Sequence, residues 1–126
     1  LSKDHPEVVA DLPLAMRLAT LAWNRSPEHA EGALSSLMGS FELARPGGSR
    51  DQALSYFDRA IAASGGRSAA PFVAKAEGIA LPAGDRPGFE ALLRQGLTAG
   101  RLRRDLSNEV MRERAQWLLD TADDLF

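Results

Sequence analysis

The sequence predicts an all-α protein made of antiparallel helical hairpins, about six helices in one domain over residues 1–126. Three observations predict it. Strand signals are nearly absent: there is one Tyr, few Ile or Val, and no sustained alternation of apolar and polar residues. Alanine and leucine dominate between clusters of Gly and Pro, so breakers divide the chain into helix-sized pieces. Within the pieces, apolar residues recur at steps of three and four. The loops between them are short, which favours antiparallel neighbours.

The first helix is expected from Pro13 to about Asn24, after a short turn, because Pro13 lacks an N–H and disfavours helix at Leu12. The second starts with Ser26 as N-cap and Pro27 at the first helical position. Ala30, Leu34, Leu37, Phe41 and Ala44 form its apolar face, and Pro46-Gly47-Gly48 stops it. The third opens on a capping box, Ser49 to Gln52, and buries Ala53, Phe57, Ala60 and Ile61. It ends at Gly65-Gly66.

Ser68 is the expected cap of the fourth helix, with Pro71 in its first turn, and Pro82-Ala83-Gly84 breaks the chain again. Asp85 caps the fifth, whose face is Phe89, Leu92, Leu93 and Leu97, with Gly96 read as a point of close helix approach. The sixth runs from about Ser107 to Asp124. Its face is Val110, Met111, Ala115, Leu118, Leu119 and Ala122, with Trp117 alongside. Trp23 and Trp117 are read as core or interface anchors.

Composition narrows the function. Hydrophobic residues are 44% and charged residues 25% of the 126, which excludes disorder. A chain this long buries ~65–70% of its unfolded surface and needs no covalent staple. The formal net charge of −2 argues against nucleic acid, which needs a concentrated basic face. Arg101, Arg103 and Arg104 are the one basic cluster and read as a solvated loop. There is no Cys, so thiolate chemistry and disulfides are out. His5 and His29 have no ligand spacing, and the Gly-rich pieces match no phosphate-binding pattern. No catalytic constellation, cofactor motif or metal set emerges. Asp120, Asp123 and Asp124 at a helix C-terminus would oppose its dipole and fray it.

Ala53, Phe57 and Ala60 have the A-x3-F-x2-A spacing of the second helix of a tetratricopeptide repeat. The first-helix half is weaker, with Gly39 and Phe41 near the small and aromatic positions. No second copy scores as well, so repeat-like hairpins and a generic bundle both stand on periodicity alone. Glu42 is the only charge in its stretch, and Lys75 and Glu77 are isolated in theirs. Both stretches are first helices of hairpins, the set that lines a concave face in stacked hairpins. Glu42, Arg45, Lys75 and Glu77 are therefore the candidate partner- or ligand-facing residues.

A more specific likeness lies in the order of several pieces: the helix with its trailing Ser64-Gly65-Gly66, then Ala76-Glu77, Pro82, Asp85-Arg86, Phe89-Glu90 and Leu92-Leu93, then Arg114-Ala115, Trp117-Leu118-Leu119, Ala122-Asp123 and Phe126. They span roughly Glu31 to Phe126. Together they resemble the T-component family of tripartite ATP-independent periplasmic (TRAP) transporters, which are tetratricopeptide-like lipoproteins. The resemblance implies a periplasmic, non-catalytic binding module. It implies a partner protein, the solute-binding component, and a small apolar or organic-acid ligand. It further implies membrane attachment only through an N-terminal lipid anchor outside this chain, and leaves a homo-oligomer open. The alternative is a generic helical-repeat scaffold with no transporter link.

Overall fold

The computed structural model describes residues 6–25 and 29–126, with side chains from 14 to 25 and from 32 onward. The described residues hold α1 (Pro6–Arg25), α2 (His29–Ala44), α3 (Arg50–Ala63), α4 (Ala70–Lys75) running into a π-helical turn (Ala76–Ala80), α5 (Arg86–Leu102), α6 (Leu106–Asp120) and α7 (Ala122–Leu125). No strand occurs among them. The fold is all-α, as the sequence predicts.

Successive helices pack as hairpins, α2 on α3, α4 on α5 and α6 on α5, with α1 against α2. This order is consistent with stacked tetratricopeptide-like hairpins. The expected turn before Pro13 is not there: α1 is one helix from Pro6. A proline inside a helix removes one rung of the hydrogen-bond ladder, and here the helix continues past it. The predicted caps Ser26 and Pro27 fall outside the described residues.

In α2 the buried stripe is not the leucine face. Gly32, Ser35, Met38, Gly39 and Glu42 are buried, while Leu37 is 43% exposed and Leu34 and Phe41 are half-buried. Small residues win because they let backbones close up. A Cβ on Gly39 would stand 2.5 Å from the Phe57 ring, and one on Gly32 2.7 Å from the Ala60 Cα. Ala53, Phe57 and Ala60 of α3 are all at or near zero exposure against this stripe. α1 is fastened from outside: the Trp23 indole N–H donates to Ser35 Oγ at 3.0 Å, and its ring meets Tyr56 edge-on at 5.2 Å.

Helix ends follow local chemistry in most places. Ser49 Oγ accepts from the Gln52 N–H at 3.2 Å, and Asp85 accepts from the Gly88 N–H at 3.0 Å. Gly66 N–H closes back on the Ile61 carbonyl, with Gly65 and Gly66 both at positive φ. Ser68 does not cap α4. The N-cap is Ala69, and its N–H is taken by Asn108 Oδ1 of α6 at 3.0 Å. α6 is capped by Asp105 and starts before the predicted Ser107. It stops at Asp120, where the Thr121 hydroxyl donates to the Trp117 carbonyl. Asp123 and Asp124 thus open α7 instead of ending α6. Val110, expected on the buried face of α6, is 49% exposed, and Trp117, read beside that face as a core or interface anchor, is 54% exposed.

The second core joins Val73, Ala76, Ala80, Phe89, Leu93, Ala115, Leu118 and Ala122, from the α4 region, α5, α6 and α7. Phe126 returns onto Phe89 edge-to-face at 5.2 Å, and Arg86 pairs with Asp123 over the same corner. Gly96 is buried between α5 and α4, but a Cβ there would lie 3.5 Å from Phe72 Cβ and Val73 Cγ2, ordinary contact. Gly96→Ala is therefore expected to raise stability by about 0.5–1 kcal/mol through helix propensity and a stiffer unfolded chain. A lower melting temperature for this variant would mean the two helices sit closer than this spacing.

Candidate functional site

A trough runs along α2, α4 and α6. Ser36, Ser40 and Leu43 of α2, Ala70, Val73 and Ala74 of α4, Glu77 and Gly78 of the π-turn, and Met111 and Arg114 of α6 enclose about 520 Å3. A second depression of about 470 Å3 shares Ser36, Ser40 and Ala70 and continues to Leu37, Ser68, Arg103 and Ser107. Of the leucine face of α2 that the periodicity assigns to the core, Leu37 lines this trough instead, while Phe41 borders a separate, smaller depression. The trough's volume lies in the range of small-molecule sites, and its mixed serine and aliphatic lining also suits a peptide segment.

The π-turn shapes one wall. Leu81 N–H bonds to the Ala76 carbonyl five residues back, at 2.9 Å. Such wide turns recur at functional sites because they re-aim side chains. Gly78 within it lets α2 come close: a Cβ there would stand 2.5 Å from Leu43 Cδ1. Beside it Arg114 donates to both carboxylate oxygens of Glu77, at 2.6 and 3.0 Å, while its guanidinium covers the Trp117 ring at 5.5 Å. The Glu77 hydrogen bond in turn pushes the Arg114 pKa upward.

The four residues singled out by sequence are not gathered in one place. Glu77 lines the trough. Lys75 lies at the end of α4 and reaches Asp58 of α3 at 2.8 Å. Glu42 and Arg45 border a smaller depression of about 170 Å3, with Met16, Thr20, Met38, Phe41 and Tyr56. Arg114 is the charge that sequence reasoning missed. Its partner is 37 residues away, so no local pattern announces it.

Glu42 is bound on every side. It is 8% exposed. Arg45 donates to it through two nitrogens at 2.8 and 2.7 Å, and the Ser49 N–H donates at 2.9 Å. It thus takes the N–H that Gln52 would take in a full capping box. The Arg45 hydrogen bond first, then the Ser49 N–H, hold the Glu42 carboxyl below its ordinary value of 4.5. A depressed folded-state pKa adds stability above the unfolded value and loses it as pH falls through the folded value. Glu42→Gln is expected to be less stable than wild type at neutral pH, with the gap closing below about pH 4.5. A constant gap down to strong acid would show that the carboxylate charge is not what the turn uses.

Among the described residues no three His, Asp or Glu side chains come together as a metal set, and no helix is long and apolar enough to cross a membrane. The TRAP transporter T-component family matches the chain over residues 1–126. The chain belongs to that family. It is thus an accessory component of a TRAP transporter and works with other proteins of that system. No curated protein and no solved structure gives a significant match.

Proposed function

We propose that this T-component is a non-catalytic, periplasmic binding module, held to the membrane by an N-terminal lipid anchor, that receives the solute-binding component of its transporter. The trough along α2, α4 and α6 is the observation that carries the reading. It is open and lined by side chains from three helices, α2, α4 and α6, the arrangement by which stacked helices present a concave binding face. Ser36, Ser40, Ser68 and Ser107 offer hydrogen bonds along it, and Leu37, Leu43, Val73 and Met111 offer apolar contact. The same dimensions admit a small apolar or organic-acid ligand. Of Glu42, Arg45, Lys75 and Glu77, the trough favours Glu77, together with Arg114, as the polar contact.

Filling the trough tests this. Ser40→Arg and Ala74→Arg should each weaken binding of the solute-binding component about tenfold or more, roughly 1.4 kcal/mol, measured by titration calorimetry. Their circular dichroism and melting temperature should stay at the wild-type level. Lys75→Glu probes the flank: its surface pair with Asp58 is worth about 0–1 kcal/mol to the fold, so a large affinity loss would report contact with the partner. Wild-type affinity in both trough variants would overturn the proposed face, and wild-type affinity in Lys75→Glu would remove Lys75 from it.

A further inference from the structure

On α4, Ala70 and Ala74 face the trough. Phe72 stands midway between them in sequence, and at ~100° per residue it lies about 200° around the helix from each. It lines a separate depression of about 340 Å3 on the far side of α4, with Gly66 of the preceding loop and Arg94, Gln95, Thr98 and Ala99 of α5. This space is open to solvent and shares no residue with the trough. Phe72, Gly66 and Ala99 make it apolar, and Arg94 and Gln95 stand at its edge.

The polar edge offers donors in excess of acceptors. No Asp or Glu lines the depression. Arg94 is 68% exposed, and the carboxylate that reaches it, Glu90, stands at 4.0 Å and is shared with Arg86 at 3.7 Å. The Gln95 amide has no hydrogen-bond partner among the described residues. Arg101, which the sequence reads as part of a solvated loop, sits in the last turn of α5. Arg94, Thr98 and Arg101 are spaced i, i+4 and i+7, so they share the exposed face of that helix. Arg101 makes no ion pair among the described residues, whereas its neighbours Arg103 and Arg104 are held by Asp105 and Glu109. In a chain of net charge −2 this one face is basic.

We propose that this depression is a second docking site, which takes an acidic amphipathic helix of a partner protein. Arg94 and Arg101 are about 10 Å apart along α5, at ~1.5 Å per residue. A helix lying along α5 meets both with carboxylates at its own positions i and i+7. Apolar side chains at i+3 and i+4 fall on the same face and enter the space against Phe72 and Ala99. The buried anchor holds the partner, and the paired charges select it and set its register. The site lies across α4 from the trough, so both are open to occupation at once. The chain would then hold two proteins together, one on each side of α4.

A labelled, alanine-rich helical peptide tests the site, with Glu at i and i+7 and Leu and Phe at i+3 and i+4. It is titrated with the full chain at low ionic strength and followed by fluorescence anisotropy. A control peptide carries Lys in place of both Glu. The Glu peptide should bind at submillimolar concentration, more weakly in added salt. The double variant Arg94→Glu, Arg101→Glu should bind it about tenfold or more weakly and should gain affinity for the Lys peptide. Both sites are exposed, and circular dichroism checks that the variant folds. Ser40→Arg, which fills the trough, should bind the Glu peptide as the wild type does. No binding of the Glu peptide at millimolar concentration overturns the proposal, as does equal binding of the two peptides by the wild type. A double variant unchanged toward both peptides overturns it too. Loss of binding in Ser40→Arg would move the peptide into the trough and remove the second site. Phosphatidylglycerol vesicles complete the test: a wild type that binds them through Arg94 and Arg101, and ignores the peptide, would assign the face to a lipid surface and overturn the proposal.

Discussion

Phe57→Ala is expected to cost about 3–5 kcal/mol. For a domain of this size that is a fall of roughly 10–20 °C in melting temperature. Phe57 has no exposed surface and fills the space that Gly39 leaves on α2. The pair makes the effect diagnostic. Gly39→Ala in the wild type drives a methyl to within 2.5 Å of the ring and should cost about 1–3 kcal/mol by overpacking. In the Phe57→Ala background the same methyl enters the vacated space. Its cost should vanish, or turn into the gain of about 0.5–1 kcal/mol that alanine holds over glycine in a helix. Denaturant titrations of the four proteins measure the coupling. Additive losses would mean that Gly39 and Phe57 do not share one space.

Asn108→Ala should produce the next largest loss, about 2–4 kcal/mol. Asn108 is 1% exposed and its amide serves three backbone groups on two segments, the loop before α4 and the turn after α5. Its Oδ1 accepts from the Ala69 N–H at 3.0 Å, and its Nδ2 donates to the Arg67 carbonyl at 2.8 Å and the Arg103 carbonyl at 2.7 Å. Truncation leaves a buried N–H and two carbonyls without their partner, each worth about 1–3 kcal/mol if water does not reach it. The loss should be visible locally too, as faster hydrogen exchange at the Ala69 amide, since the start of α4 loses its cap. A loss under about 1 kcal/mol with unchanged exchange at Ala69 would show that the two segments hold together without the amide.

Asn108 also marks where sequence reading ran out. The caps Ser49 and Asp85 and the Gly65-Gly66 stop are legible because donor and acceptor lie within a few residues. Asn108 caps α4 from 39 residues away, and Ser68, the nearer residue of the right type, is the plausible wrong choice. The face of α2 fails for a different reason. Hydrophobic periodicity finds the stripe with the most carbon, Leu34, Leu37 and Phe41. Burial follows the stripe that allows the closest approach, Gly32, Ser35 and Gly39. Of the larger stripe, Leu37 is left to line the trough. Glu77 was visible as an isolated charge, but its partner Arg114 required the fold to bring α6 beside the π-turn. Val110 and Trp117 satisfied the helical period and still face outward, since a period identifies a face without saying what covers it.

The π-turn has a consequence for how this chain tolerates change in length. A wide turn holds about one residue more than an α-turn, so it stores a single-residue insertion inside an otherwise regular helix. Removing one residue between Ala76 and Ala80 would return the segment to α-helical pitch. Everything before the cut would then rotate by about 100° relative to everything after it. Val73 would leave the core while Pro82 and Asp85 kept their places. In these five residues the count itself is structural, and a one-residue gap there would exchange the trough wall for a different surface.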